Sequence, residues 1–197
     1  MKKISILFVV ILMGTIGTIS AQSLSFSGQF GWSIPQGKAF EAVDGVKATK
    51  GGLAYSIDAL YMLPILDEKL GAGLTLKGDL LFGSGDFGLS SLSLYGVKGY
   101  YKFFDSKVTP YAALSLGLSQ YGTPEVTLSD LDGNEIGKIE AVKGSGFGIM
   151  PEVGVQFGGF FIAANYLVPM KYKIEDIKTE SVGSLAISIG YRFNIGL

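Results

Sequence analysis

Eight stretches of this chain, each about ten residues long, alternate apolar and polar side chains with a period of two, and no other feature constrains the fold as tightly. Leu24, Phe26, Phe30, Trp32 and Ile34 share one parity, while Ser25, Ser27, Gln29, Gly31 and Ser33 fill the other. Successive side chains of an extended strand point to opposite faces, so each stretch reads as a strand with one greasy face and one small, polar face. The pattern returns over residues 53–61, 70–80, 95–103, 112–119, 147–157, 162–166 and 184–195. It is least clean in 95–103 and just before it, where Leu94 and Tyr100 fall on the polar side.

A soluble barrel or sandwich turns its apolar face inward, whereas a membrane barrel is inverted. Composition favours inversion. Charged residues make up 17% of the chain and aromatic residues 12%, while a soluble domain carries about 25% charge. The faces opposite the apolar ones are mostly Gly, Ser, Ala and Thr, which suit the narrow interior of an eight-stranded barrel. With the faces set from apolar residues alone, Asp58, Lys77, Asp79, Glu152 and Arg192 all land on the polar side; Lys98 lies there too, in a stretch whose register Lys98 and Lys102 themselves help to set. A basic residue on the lipid face near the midplane would cost about 2–4 kcal/mol. These six charges therefore read as a lumenal polar network, three acids against three bases, with a structural role because paired buried charges cost far less than lone ones. The fold class expected is all-β: an eight-stranded antiparallel up-and-down transmembrane β-barrel. Since neighbouring residues of the last strand face opposite solvents, Ile187→Lys is expected to impair assembly, and Ser188→Lys to be tolerated better if the lumen has room.

The links between stretches run 35 to 52, 63 to 69, 82 to 91, 104 to 110, 121 to 145, 158 to 159 and 168 to 183. Long and short largely alternate, as in a barrel with both termini and its tight turns on the periplasmic side and its long loops outside. Pro64, Asp105-Ser106-Lys107 and Gly158-Gly159 carry turn chemistry. Within 121–145, residues 126–128 and 136–139 flank Asp132-Gly133-Asn134, which predicts a protruding hairpin. Tyr55, Tyr61, Trp32, Phe82, Tyr101, Phe103, Tyr111, Phe157, Tyr172, Tyr191 and Phe193 lie near strand ends and read as interfacial girdles.

Lys2 and Lys3 precede an apolar run from Ile4 to about Ile19 that ends in Ser20-Ala21-Gln22, the pattern of a secretory signal peptide. Residues 1–21 are read as that peptide, cleaved after Ala21, and 22–197 as the barrel domain. Removing two of 16 basic residues leaves 14 against 17 acidic ones, a net charge of −3, with nothing to suggest nucleic-acid binding. There is no Cys and no His, which removes thiolate chemistry, disulfides and the commonest general base and transition-metal ligand. No catalytic residue, cofactor or metal site is assigned. Gly83-Ser84-Gly85-Asp86-Phe87-Gly88 matches a dinucleotide-loop string, but a strand rather than a helix follows, so it reads as a surface loop. Asp130, Asp132 and Asn134 open like a calcium loop, yet Glu135 stands where Gly is needed and Ala141 where a bidentate Glu is needed, so a hairpin turn is the better account.

The chain resembles the small outer-membrane β-barrel family of OmpA/OmpX-like proteins, especially the forms common in Bacteroidetes. The resemblance rests on Tyr100-Tyr101-Lys102-Phe103 followed by Thr109-Pro110-Tyr111; on Gly146-Phe147-Gly148 leading to Pro151-Glu152-Val153-Gly154-Val155; and on Ser188-Ile189-Gly190-Tyr191-Arg192-Phe193. It covers the mature chain with degenerate motifs. It implies the outer membrane of a Gram-negative bacterium, contact with outer-membrane lipid and lipopolysaccharide, handling by periplasmic chaperones and the β-barrel assembly machinery, and a monomer. Such barrels often end in an aromatic residue; here Phe193 is followed by Asn194-Ile195-Gly196-Leu197, so the assembly signal is assigned to Tyr191, Phe193 and Leu197, all of one parity. The function expected is non-enzymatic: envelope integrity, or surface binding and adhesion through long loops, with 121–145 as the candidate ligand loop. The alternative is a porin-like protein or a passage for small hydrophobic solutes.

Overall fold

The alternating segments become eight long strands, which the computed structural model describes over residues 23–40, 49–64, 66, 68–83, 89–123, 126–129, 135–139, 143–174 and 177–196. They are β1 (Ser23–Gln36), β2 (Thr49–Met62), β3 (Leu70–Gly83), β4 (Leu89–Lys102), β5 (Thr109–Gly122), β8 (Lys143–Phe157), β9 (Phe160–Ile174) and β10 (Ile177–Gly196). A separate two-stranded hairpin, β6 (Val126–Ser129) with β7 (Glu135–Ile139), stands between β5 and β8 where the sequence placed it. The long strands close in the order β1-β10-β9-β8-β5-β4-β3-β2, each antiparallel to its neighbours, which is an up-and-down barrel. Pairing of β1 with β10, from Ser23 opposite Gly196 to Gln36 opposite Gly183, completes the ring. The expected signal peptide, residues 84–88 of the glycine string, Asp130, Asp132 and Asn134, and Leu197 lie outside the described residues.

The facing assignment holds around the ring. Phe30, Ile57, Leu74, Val97, Leu118, Phe147, Ile162 and Ile189 are exposed on the outer wall, while Ser27, Ser56, Thr75, Lys98, Ser115, Glu152, Asn165 and Ser188 are buried within. Aromatic rings pack on the outside in pairs: Phe26 with Phe193, Phe160 with Tyr191 and Tyr101 with Phe103 at the end that holds the short turns, and Trp32 with Phe82 at the other. Among the described residues no helix is long and apolar enough to cross a membrane, which says nothing of a β-barrel.

Two expectations need correction. The strands outrun their apolar alternation: the links expected at 35–52, 82–91, 121–145 and 168–183 shrink, and most of 168–183 is the paired continuation of β9 and β10. Ladder hydrogen bonds need no apolar face, so a sheet extends beyond the hydrocarbon where the alternation stops. Tyr111 and Tyr172, assigned to the girdles, are both buried inside the barrel. Tyr111 shares parity with the inward Ser115, and its ring lies against Gly154, where a Cβ would come within 2.5 Å of it. Tyr172 has the outward parity of Ile162 and Tyr166, but the β9–β10 register slips twice near Pro169, and a bulge there reverses the facing of the residues beyond it.

The strands place Ile189 opposite Phe30 and Ile162, in the middle of the apolar belt, whereas Ile187 sits opposite Trp32 of the upper girdle. Ile189→Lys is therefore expected to destabilise the barrel by about 2–4 kcal/mol and Ile187→Lys by less, about 1 kcal/mol. Urea titration of the refolded protein in lipid vesicles, read by the electrophoretic shift of the folded barrel, checks the order.

Candidate functional site

The lumen is built in three layers. At its mid-level, inward positions of β1, β2, β3, β4, β8 and β10 converge, and the six predicted charges are all buried there, just above or just below. Lys98, 1% exposed, donates from its ammonium to Asp58 Oδ2 at 2.8 Å and to the Glu152 oxygens at 3.1 and 3.0 Å. Asp58 also accepts from Ser27 at 3.0 Å and Thr75 at 2.6 Å, and Glu152 from Gln29 at 3.2 Å. Gln29 is itself tied to Ser56 at 2.6 Å and to Ser188 at 2.9 Å. Higher up, Lys77 pairs with Asp79, and Ser184 accepts from Lys77 at 3.0 Å while donating to Asp79 at 2.7 Å.

Arg192 departs from the expected balance of pairs. Among the described residues it meets no carboxylate: its Nη1 donates to Gln156 at 3.3 Å, while Nε and Nη2 have no hydrogen-bond partner. It is held by rings instead, its guanidinium lying 4.1 Å from the centroid of Tyr100 and 5.2 Å from those of Tyr111 and Phe161. A desolvated cation over aromatic faces gains about 2 kcal/mol. The planar, weakly hydrated guanidinium suits this stacking. Two acids thus share Lys98, one acid takes Lys77, and the third base rests on π faces.

Apolar side chains close both ends of this polar layer, where small polar residues were expected. Toward the long loops, Leu81, Leu92, Leu94, Met150, Leu167, Tyr172 and Val182 pack together, joined by Phe40 from the 3-10 turn Lys38–Phe40 after β1. Toward the chain termini, Leu60, Met62, Tyr100, Tyr111, Phe161 and Ala163 form a second cluster. Eight strands enclose a volume that side chains must fill, and serines and glycines alone are too small to fill it. The void beside Lys77, lined by Gln29, Ser56, Asn165 and Ser188, is too small to admit a water molecule. No room therefore exists for a lysine at Ser188, and the tolerance expected there does not follow.

Gln29, Ser56, Thr75 and Ser184 belong to the network but were not singled out in the sequence, although their parity marked them as inward. Of the three residues assigned to assembly recognition, Tyr191 and Phe193 are exposed on the outer wall near the terminus-bearing end.

No known protein-family model matches the sequence, and no curated protein matches it. Among solved structures, Neisserial surface protein A (NspA) aligns over 86% of this chain and 97% of its own, at 16% identity with a TM-score of 0.53. Ail, the attachment invasion locus protein of Yersinia pestis, aligns over 89% and 100% at 19% identity with a TM-score of 0.48. The outer membrane protein OprG from Pseudomonas aeruginosa aligns over 90% and 98% at 13% identity with a TM-score of 0.44. The likeness to NspA places the fold: a small eight-stranded barrel of the outer-membrane type.

Removing Lys98 would leave Asp58 and Glu152 buried and facing each other without a cation. Lys98→Met is expected to cost about 3–5 kcal/mol. The triple variant Lys98→Met, Asp58→Asn, Glu152→Gln should recover most of that loss, because no charge is then stranded. Unfolding free energies of the two variants in micelles or vesicles make the comparison; equal losses would show that the triad carries no charge coupling.

Proposed function

We propose that the chain is a non-enzymatic outer-membrane barrel whose lumen is closed by its own side chains, and which contributes to envelope integrity while presenting its loops, the β6–β7 hairpin foremost, for surface binding. The observation that carries this reading is the layered lumen: an ion-pair and hydrogen-bond network sealed above by the Phe40–Leu94 cluster and below by the Tyr100–Phe161 cluster. A water-filled path through it would have to separate ion pairs already desolvated on both sides, at a cost of several kcal/mol. Porin-like passage therefore has less support than closure.

The same reading takes residues 1–21 as a signal peptide removed on export, and Tyr191, Phe193 and Leu197 as the strand signal met by the assembly machinery. It places the barrel among outer-membrane lipid and lipopolysaccharide of a Gram-negative bacterium. A closed ring has no edge strand to pair with a second copy, which fits a monomer.

The hairpin is paired within itself and belongs to a sheet separate from the barrel, so its removal spares every barrel ladder. Deleting residues 124–142 is expected to leave the folded electrophoretic shift intact while abolishing binding of expressing cells to host matrix or to one another; undiminished binding would count against display. In vesicles, the wild-type barrel should pass small solutes no faster than a matched inert barrel, and flux well above that baseline would remove the closed-lumen reading.

A further inference from the structure

The outer wall changes character toward the end that carries the long loops. Ser91, Ser93, Gln120 and Ser145 face outward there, at the parity that lower on the same strands carries Tyr95, Val97, Leu118 and Phe147. Cross-strand pairing makes these positions contiguous: Leu80 lies opposite Ser91, Ser93 opposite Gln120, Gln120 opposite Ser145, and Ser145 opposite Lys173. Small side chains on adjacent strands leave a recess of about 470 Å³ in the wall, bounded by Tyr55, Leu80 and Tyr95. Tyr55 is fixed as part of that boundary because its ring covers Gly78, where a Cβ would come within 2.3 Å of it.

The recess is charged as well as shaped. Lys143 and Lys173, both exposed, line it on the loop side. Among the described lining residues the one acid, Asp79, turns its carboxylate into the lumen to pair with Lys77 and faces away from them. Apolar walls meet hydroxyl and amide donors and then two cations over the last few residues of the strands. That sequence of chemistries matches a lipid: acyl chain first, then ester and hydroxyl groups, then phosphate. Its lining includes the outward-facing Leu80, Ser91, Ser93, Gln120 and Ser145, so it lies on the wall of the barrel.

We propose that this recess binds a lipid of the surrounding leaflet whose headgroup phosphate is net anionic, not masked by a choline, with that phosphate on Lys143 and Lys173 and the first part of an acyl chain against Tyr55, Leu80 and Tyr95. The proposal rests on the outer-membrane placement of the barrel and is independent of whether the lumen conducts. Closure of the lumen by side chains leaves the outer wall unchanged.

Native mass spectrometry of the full folded barrel, released from micelles containing monophosphoryl lipid A or dioleoyl phosphatidylcholine, reads the site. The wild type is expected to retain lipid A in preference to phosphatidylcholine. Lys143→Gln with Lys173→Gln should weaken lipid A retention roughly ten- to thirty-fold, the effect of two lysines at a membrane surface, and leave phosphatidylcholine unchanged. Ser93→Trp, which fills the recess without touching a cation, should weaken retention of both lipids. Equal retention of the two lipids by the wild type, or lipid A retention unchanged in both variants, would overturn the proposal. Displacement of lipid A by millimolar inorganic phosphate would overturn it in favour of a free-anion site. Failure of the wild type to insert into vesicles, scored in parallel by its electrophoretic shift, would instead overturn the outer-membrane reading and the site with it.

Discussion

Closure of β1 against β10 is the constraint on which the rest of this structure depends. In hydrocarbon no water is present to satisfy a free amide or carbonyl, so a sheet can cross only if every strand has a partner on both sides. The continuous β1–β10 ladder, paired without a bulge from Ser23 to Gln36, removes the two edges that an open eight-stranded sheet would expose. Once the ring is closed, side-chain parity assigns each residue to lipid or lumen, and a single charge on the wrong side becomes expensive.

Closure with eight strands also decides what the lumen holds. The enclosed volume is small enough to be filled by side chains and too small to serve as a broad channel, so the interior is a packed core with an unusual polar layer at its centre. Lys98 is the hub of that layer: it neutralises Asp58 and Glu152 from opposite walls of the barrel and links β2, β4 and β8 through one ammonium. The hydrogen bonds from Ser27, Thr75 and Gln29 complete the carboxylates' coordination, which is what makes burial of a triad with one cation and two anions tolerable. Lower down, Arg192 uses π faces where a carboxylate was expected. The aromatic rings that cradle it also form the lower apolar seal, so one set of side chains serves charge stabilisation and packing together.

The outside of the barrel follows the same logic in reverse. Its belt is apolar because its solvent is apolar, and its aromatic pairs mark where that solvent ends. The serine-lined recess interrupts the apolar wall toward the loop-bearing end, with Lys143 and Lys173 on its loop side, an order of chemistries that the proposed lipid would match. A strictly inert wall has no need for this graded chemistry.

The sequence by itself determined the strand count, the facing of most residues within the eight alternating stretches and the burial of all six lumenal charges, because parity is a local property and hydrocarbon penalises any breach of it. Even Tyr111 was legible in that way: its parity with Ser115 pointed inward, and only its nearness to a strand end suggested a girdle. The tertiary structure alone decided which charges pair, since Lys98 and Glu152 are 54 residues apart and meet only when the ring closes. It likewise decided the fate of Tyr172, whose facing is reversed by a bulge near Pro169 that no alternation reveals, and the filling of the lumen by Phe40, Leu94, Met150 and Leu167. Those side chains come from distant strands and one loop, and what draws them together is the volume left over by closure, a quantity that belongs to the assembled barrel and to no single segment.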